Sequence, residues 1–487
     1  MKMENLDPKE VWNYFEEITK IPRCSGEEEK IREFVRSVAE EKGYEIDIDD
    51  VGNILVKKPG TIKNAPPLVI QSHLDMVCEK TSESDHDFSE DPITMRKENG
   101  WITADGTTLG ADNGIGVAIS LAMMTDDELT HGPLEFLFTV GEEIGLIGAK
   151  EIEPGYFNGK TLLNLDSEHF GTFTIGCAGS GDSFIKLPLK YEETDAKDFY
   201  EIRIHGLKGG HSGLDIHKGR GNANKILARI IFEVYDKILE KSSICLNHIE
   251  GGNKKNTIPM QSRAILKIEN EPQQVIKHMI DVFSEVKKEY LAVDEEMKLE
   301  IEPFDLNKGK LIENGGSKKI IDLILALPHG VLSMNQEVSG LVKTSTNLAT
   351  LSTDDELKIT MMTRSSSKPE ILAIRDRIRI IAESFGGYVE ESVAYPGWEV
   401  DTDSEILKIS KEMYKKIFGE EPNIGAMHAG LETRVISVKF EGMDMISFGP
   451  TLKGPHTTSE KVEIKSVEKL WRLVTSICEE HARKMGA

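Results

Sequence analysis

The sequence predicts an α/β protein: a mostly parallel sheet flanked by helices, interrupted by an inserted α+β domain. Three observations lead there. Short apolar runs alternate with helical segments as far as Gly179. From Gly179-Ser180-Gly181 to about Pro396 the texture turns to period-two strands interleaved with long amphipathic helices. After Tyr395-Pro396-Gly397 the first style returns, which predicts one domain built from 1–183 and 396–487 around an insertion at 184–395.

At 487 residues the chain exceeds one ordinary core. With 39% hydrophobic and 29% charged residues it is globular rather than disordered or fibrous. A formal net charge of -24 argues against nucleic acid or an anionic membrane as partner. The opening MKMENLDPKEVWNYF has no apolar signal-peptide core and no apolar run reaches membrane-spanning length, so the cytoplasm is the expected location. The five cysteines, Cys24, Cys78, Cys177, Cys245 and Cys478, are scattered and odd in number. Neither a disulfide framework nor a thiolate zinc site is expected from them.

Taken in order, Asp7 with Pro8 makes a cap and first-turn pair, and Ser25 with Glu28 has capping-box spacing. The helix that follows has Ile31, Phe34, Val35 and Val38 as its apolar face. Buried strands are expected at 68–70, 134–140 and 161–165, with a helix over 114–124 between the first two. Residues 79–91 are charged and expected as a solvated loop. The insertion carries strands at 201–204 and 358–361 and helices over 224–239, 273–291 and 369–385. A last strand at 445–448 precedes a closing helix from about Val467.

Hard or borderline metal ligands collect where these strands end. His73-Leu74-Asp75 closes the first strand, Asp112-Asn113-Gly114 lies in a glycine-rich turn before the helix, Glu142-Glu143 follows the second strand, and Asp166 ends the third. In an open parallel sheet the carboxyl ends of the strands share one edge, so such residues can converge. Imidazole with carboxylates suits zinc, manganese or cobalt. Alone, each piece has a plainer explanation: a surface His-Asp pair, a solvated acidic face, or a helix cap at Asp112 or Asp166. Their conjunction at successive strand ends is what points to a site. His456, held between Gly454-Pro455 and Thr457-Thr458-Ser459, can supply a second imidazole, though by itself it is a loop histidine. Glycines around His211 allow a close backbone approach, and a bulge or tight turn accounts for them equally well.

The runs IPRCSGEEEKI, DDVGNILV, VIQSHLDMVCEK, TLGADNGIGVA, TVGEEIGLIGA, LNLDSE, GGHSGLDIHKGRGNA, NTIPM, MTRSSS, HAGLE and SFGPTLKGPHTTSE span nearly the whole chain. In this order they resemble the metallopeptidase family of the carboxypeptidase G type, and most of all its aminoacyl-histidine dipeptidase branch. The resemblance implies a catalytic domain with a two-metal site, and an inserted lid that also mediates homodimerisation. It implies His73 and Asp166 on one cation, Glu143 and His456 on the other, and Asp112 bridging both. Glu142 would be general base and acid, and Asp75 would orient His73. From the lid, His211 would polarise the substrate carbonyl, while Asn256, Arg364 and His428 would hold the substrate. One departure stands out: the branch usually continues HAGLE with cysteine and glycine, whereas Thr433-Arg434 follow here, which leaves the preferred side chain open.

The implied cofactor is a pair of divalent cations, Zn2+ foremost, with Mn2+ or Co2+ as alternatives. The implied reaction is hydrolysis of unblocked dipeptides, Xaa-His among them, by a water bridging the two cations; such binding lowers the water's pKa from about 15.7 towards 7. A deacylase or carboxypeptidase of related amides is the alternative reading, and a non-catalytic binding module on the same fold is a third.

Overall fold

The computed structural model describes residues 6–194, 198–238, 243–306, 309–313, 315–336, 338 and 340–486. Backbone contacts divide the chain into two compact units. One gathers Met1–Cys177, Trp398–Ala426 and Leu431–Ala487; the other gathers Ala178–Gly397 and Met427–Gly430.

The first unit is built on an eight-stranded sheet in the order Glu45–Ile48, Ile54–Lys58, Leu134–Thr139, Leu68–His73, Thr161–Asn164, Asp444–Ser447, Thr172–Cys177, Asn423–Met427. Its four central strands, from Leu134–Thr139 to Asp444–Ser447, run parallel. Antiparallel pairings widen it on either side. Strands LVIQSH and LEFLFT are buried at every position, as expected of strands covered on both faces.

The covering helices include Lys9–Ile18, Ala111–Thr125, Glu405–Phe418 and Ile464–Met485. Helix Ala111–Thr125 is buried almost all round and packs on Lys9–Ile18 and on Leu68–His73. A helix apolar on every side belongs in a core, and the largest apolar cluster of this unit surrounds it. A smaller sheet pairs Leu452–Lys453 with Lys461–Glu463, which makes 454–460 a hairpin loop.

The second unit centres on a nine-stranded antiparallel sheet, with Lys298–Phe304 and Tyr388–Glu391 at its two ends. Helices Ala223–Ile238, Pro272–Tyr290, Gly316–Ala326 and Lys368–Ser384 share its separate apolar core. The sequence's helix over 224–239 ends at Ile238; Leu239 lies outside the described residues. Among the described residues no helix is long and apolar enough to cross a membrane.

Two local expectations are corrected. Neither Asp7 nor Ser25 caps a helix by its side chain. The Asp7 carbonyl accepts the Trp12 indole N–H, and the Ser25 hydroxyl donates to Asp75 Oδ2 at 2.7 Å. The turn expected at Asp112 is present: non-helical φ -82° and ψ 111° break the first turn of Ala111–Thr125 there. Cys24 and Cys78 form a disulfide with Cα atoms 5.7 Å apart. Their separation of 54 residues hid this, because only the tertiary bridge between Cys24 and Met76 brings the two segments together.

Candidate active site

The parallel strands of the first unit deliver its candidate residues to one edge. His73 is the final residue of its strand, and Asp166 lies two residues past the strand Thr161–Asn164. Glu142 and Glu143 follow Gly141, whose φ of 60° turns the chain sharply after strand Leu134–Thr139. His456 comes from the 454–460 hairpin loop, itself at φ 61°. A histidine in the left-handed region is uncommon and costs energy, and such strain gathers at functional sites.

Five of the candidate side chains meet: His73, Asp112, Asp166, Glu143 and His456. His73 Nε2 lies 3.2 Å from Asp112 Oδ1 and 3.2 Å from Asp166 Oδ1. His456 Nε2 lies 3.2 Å from Asp112 Oδ2 and 2.9 Å from Glu143 Oε1. The two oxygens of Asp112 therefore serve two separate imidazole–carboxylate pairs. Buried Glu143 Oε1 has the His456 imidazole as its close neighbour. Donor atoms of His73, Asp112 and Glu143 fall within 4.8 Å of one another, a group able to hold a metal ion. A carboxylate shared between two imidazole–carboxylate pairs fits a pair of divalent cations.

Electrostatics agree. Hydrogen bonds to Asp112 and Glu143 push His456 up to about 11. Burial opposes the same change at His73, yet Asp166, Asp112 and Asp75 outweigh it and raise that imidazole well above its usual value. The Asp166 carboxyl is pushed up to about 7 by burial and by the charges of Asp112 and Glu143. This is an excess of negative charge that divalent cations would neutralise. Glu142 is also raised well above the ordinary range, by burial first and then by Asp166 and Glu143. Among the described residues it pairs with neither imidazole.

Further buried groups hold these residues still. His73 Nδ1 is 3.1 Å from the Asp75 carbonyl and 3.3 Å from Asp75 Oδ1. The Asp75 carboxylate also accepts the amides of Glu142 at 3.0 Å and Glu143 at 3.1 Å. One carboxylate thus orients both the imidazole and the acidic turn. Burial opposes its ionisation, but His73, Ser25 and the Glu142 amide bring Asp75 down to about 2.

Glu460 accepts four successive amides: Leu109 at 2.8 Å, Gly110 at 2.9 Å, Ala111 at 2.8 Å and Asp112 at 3.2 Å. Arg23 donates to the carbonyls of Leu74 at 2.9 Å, Asp75 at 3.0 Å and Gly110. Gly110 has φ 67°, and a Cβ there would strike Arg23 and Met76. Asn113 Nδ2 donates to Asp166 Oδ1 at 2.7 Å. Sequence reasoning assigned no role in the site to Arg23, Glu432 or Glu460, and read Ser25 only as a helix cap. All four stand in the quoted runs, but nothing in composition separates a buried acid from the rest of 83 acidic residues.

The second unit gathers the remaining candidates. Arg364 Nη2 is 3.4 Å from His211 Nε2, and Arg364 Nε donates to Ser212 Oγ at 3.4 Å. His428 Nε2 is 2.7 Å from Ser345 Oγ. Gly213 lies against the His428 carbonyl and the His211 ring, where a Cβ would clash. Asn256 joins through its backbone, its carbonyl accepting the Ser212 amide at 2.8 Å; its side chain is exposed. Donors face both ring nitrogens of His211: the amides of Gly213 at 3.3 Å and Leu214 at 3.1 Å at Nδ1, and the Arg364 guanidinium at Nε2. Burial and the Arg364 charge lower His211 to about 4, and burial with the same charge lowers His428 to about 3. Thr433, by contrast, belongs to the first unit, buried at the start of helix Thr433–Lys439.

A strand-edge cluster of two imidazoles and four acids on an open α/β sheet defines a hydrolase of the metal-dependent kind. Residues 69–480 match the model of peptidase family M20/M25/M40. The chain is 37% identical to the cytosol non-specific dipeptidase of Escherichia coli (strain K12), over 98% of this chain and 99% of that protein. The crystal structure of aminoacylhistidine dipeptidase from Vibrio alginolyticus superposes with a TM-score of 0.88 at 35% identity, covering 98% of each chain. Aminopeptidase PepT from Bacillus cereus ATCC 10987 has the same fold, with a TM-score of 0.57 at 19% identity over 98% of this chain and 99% of its own. The chain belongs to peptidase family M20/M25/M40 and is a peptide-bond hydrolase.

Proposed function

We propose that the chain is a metal-dependent dipeptidase that hydrolyses unblocked dipeptides, Xaa-His among them. The shared Asp112 carries this reading, with one oxygen at the His73–Asp166 pair and the other at the His456–Glu143 pair. Two divalent cations suit these seats: His73, Asp112 and Asp166 for one, His456, Asp112 and Glu143 for the other. Zn2+ is the foremost candidate, with Mn2+ or Co2+ as alternatives. When bound, such a pair acts as a Lewis acid towards water and the substrate carbonyl.

The chain's own groups do the rest. Glu142 takes a proton from the attacking water and delivers it to the leaving amine. Its raised pKa suits a group that must hold that proton between the two transfers. Asp75 fixes the His73 ring and the turn that carries Glu142. His211, kept neutral by its surroundings, donates to the carbonyl oxygen as negative charge grows there. Arg364, with Asn256 and His428, receives the substrate's carboxylate end, to which a guanidinium is well matched.

The names of the Escherichia coli and Vibrio alginolyticus relatives support dipeptides as the substrate class, and the former supports a cytoplasmic setting. A disulfide such as Cys24–Cys78 is unusual in that compartment. We further propose a homodimer through the second unit, whose strand Lys298–Phe304 is available at a sheet edge.

Release of amino acids from a dipeptide panel, with N-acetylated counterparts, tests the reading. Unblocked dipeptides should be cleaved and acetylated ones poorly; a chelator should abolish cleavage and added Zn2+, Mn2+ or Co2+ restore it. Preference for N-acyl amino acids would make the chain a deacylase instead, and inactivity with every cation would sink the proposal. For the dimer, light scattering that returned a mass near 54.3 kDa would count against it.

A further inference from the structure

Below the strand edge runs a buried polar chain that the proposed chemistry does not use. The Ser447 hydroxyl donates to Asn164 Oδ1, Asn164 Nδ2 donates to Gln71 Oε1 at 2.6 Å, and Gln71 Nε2 donates to Glu432 Oε2 at 2.5 Å. Thr139 Oγ1 donates to the same Glu432 oxygen at 2.7 Å. All five residues are fully buried.

Their order matches the sheet. Thr139, Gln71, Asn164 and Ser447 stand on the four adjacent parallel strands, with Gln71 in register with Asn164, and Asn164 with Ser447. Three of them lie just before site residues: Thr139 before Glu142, Gln71 before His73, and Asn164 before Asp166. Along the chain every donor points towards Glu432, so its carboxyl is the terminal acceptor that sets the direction of the whole row.

Glu432 is not a comfortable core residue. Its Oε1 has no hydrogen-bond partner, and among the described residues it forms no ion pair. Burial pushes its carboxyl up to about 7. An apolar side chain of the same size would avoid these desolvation costs, so simple filling does not account for an acid here.

We propose that Glu432 is a positioning residue: through Gln71 and Thr139 it holds the strand ends that carry His73 and Glu142-Glu143 at the spacing two divalent cations require. It touches neither cation nor substrate. This rests on the proposed metal site, and the experiment separates the two. Glu432→Gln keeps an acceptor oxygen for both donors, whereas Glu432→Ala leaves both donors unpaired.

Co2+ affinity by calorimetry, the visible spectrum of the Co2+-loaded protein, and kcat and KM on a cleaved dipeptide are the readouts. Glu432→Ala should bind Co2+ about 10–100-fold more weakly, the usual loss when a group supporting a metal ligand is removed. Its spectrum should change and its kcat should fall with KM unchanged, while Glu432→Gln stays close to wild type in all three. If Glu432→Ala fails to fold, Thr139→Val, which deletes one donor alone, should show the weaker affinity and altered spectrum. Wild-type affinity and spectrum in the folded variant, or a Glu432→Gln protein as impaired as Glu432→Ala, would overturn the inference. Wild-type protein that binds Co2+ but cleaves no dipeptide would sink the dipeptidase reading alone, since affinities and spectra still decide the role of Glu432.

Discussion

Glu142 and His211, for which we propose opposite tasks, are pushed in opposite directions by their surroundings. Burial beside Asp166 and Glu143 raises the Glu142 carboxyl, so it gains a proton readily. Burial beside Arg364 lowers the His211 imidazole to about 4, so it stays neutral at neutral pH. Replacing Glu142 by Ala should leave Co2+ binding intact and lower kcat by about two to four orders of magnitude, the range for a lost general base. Calorimetry beside a turnover assay checks both halves; an inactive protein that had also lost Co2+ would make Glu142 a ligand rather than a base. Replacing His211 by Ala should lower kcat by about two to three orders of magnitude, as for one lost oxyanion donor. A change confined to KM would instead assign His211 to ground-state binding.

The first turn of helix Ala111–Thr125 shows how an element is bent to serve one side chain. Its backbone is non-helical at Asp112 and Asn113, which leaves amides free, and Glu460 accepts those from Leu109 to Asp112. Because Glu460 belongs to the same hairpin loop as His456, it ties the two loops that furnish Asp112 and His456. In Glu460→Gln an amide group would face two N–H donors. That variant should bind Co2+ about 10–100-fold more weakly while keeping its secondary structure, as equilibrium dialysis and circular dichroism would show. Wild-type affinity would mean the turn holds without it. The central strands were legible in the sequence because buried parallel strands read as continuous apolar runs, and the acids after them fell at their ends. Helices such as Pro272–Tyr290 and Lys368–Ser384 were legible through one-sided apolar spacing. The supporting contacts were not. Ser25 and Glu28 have the spacing of a capping box, yet Ser25 turns to Asp75 and Glu28 to the amides of Gly26 and Gly141. Local chemistry proposed one set of partners, and tertiary packing supplied stronger ones.

At the scale of the whole chain, the imidazole of His456 and those of His211 and His428 bear oppositely on stability. In the first unit His456 is raised to about 11 by Asp112 and Glu143. Its stabilisation in metal-free protein is fully present below the unfolded value near 6.5 and is lost as pH rises through the folded value. In the second unit burial and the Arg364 charge hold His428 at about 3, and His211 is held at about 4. The unfolded chain binds these protons more readily than the folded one. Their stabilisation is therefore complete above about 6.5 and is lost as pH falls towards 3 to 4, at up to about 1.4 kcal/mol per pH unit for each fully unmatched proton. His428 is the sharper test, being 7% exposed and bound through Nε2 to Ser345. In urea titrations between pH 6.5 and 4.5, wild-type protein should lose stability on acidification, and His428→Gln should lose it less steeply by about one proton's worth. Equal slopes would mean that His428 takes up its proton as freely folded as unfolded, and that its burial beside Arg364 is too loose to keep the imidazole neutral.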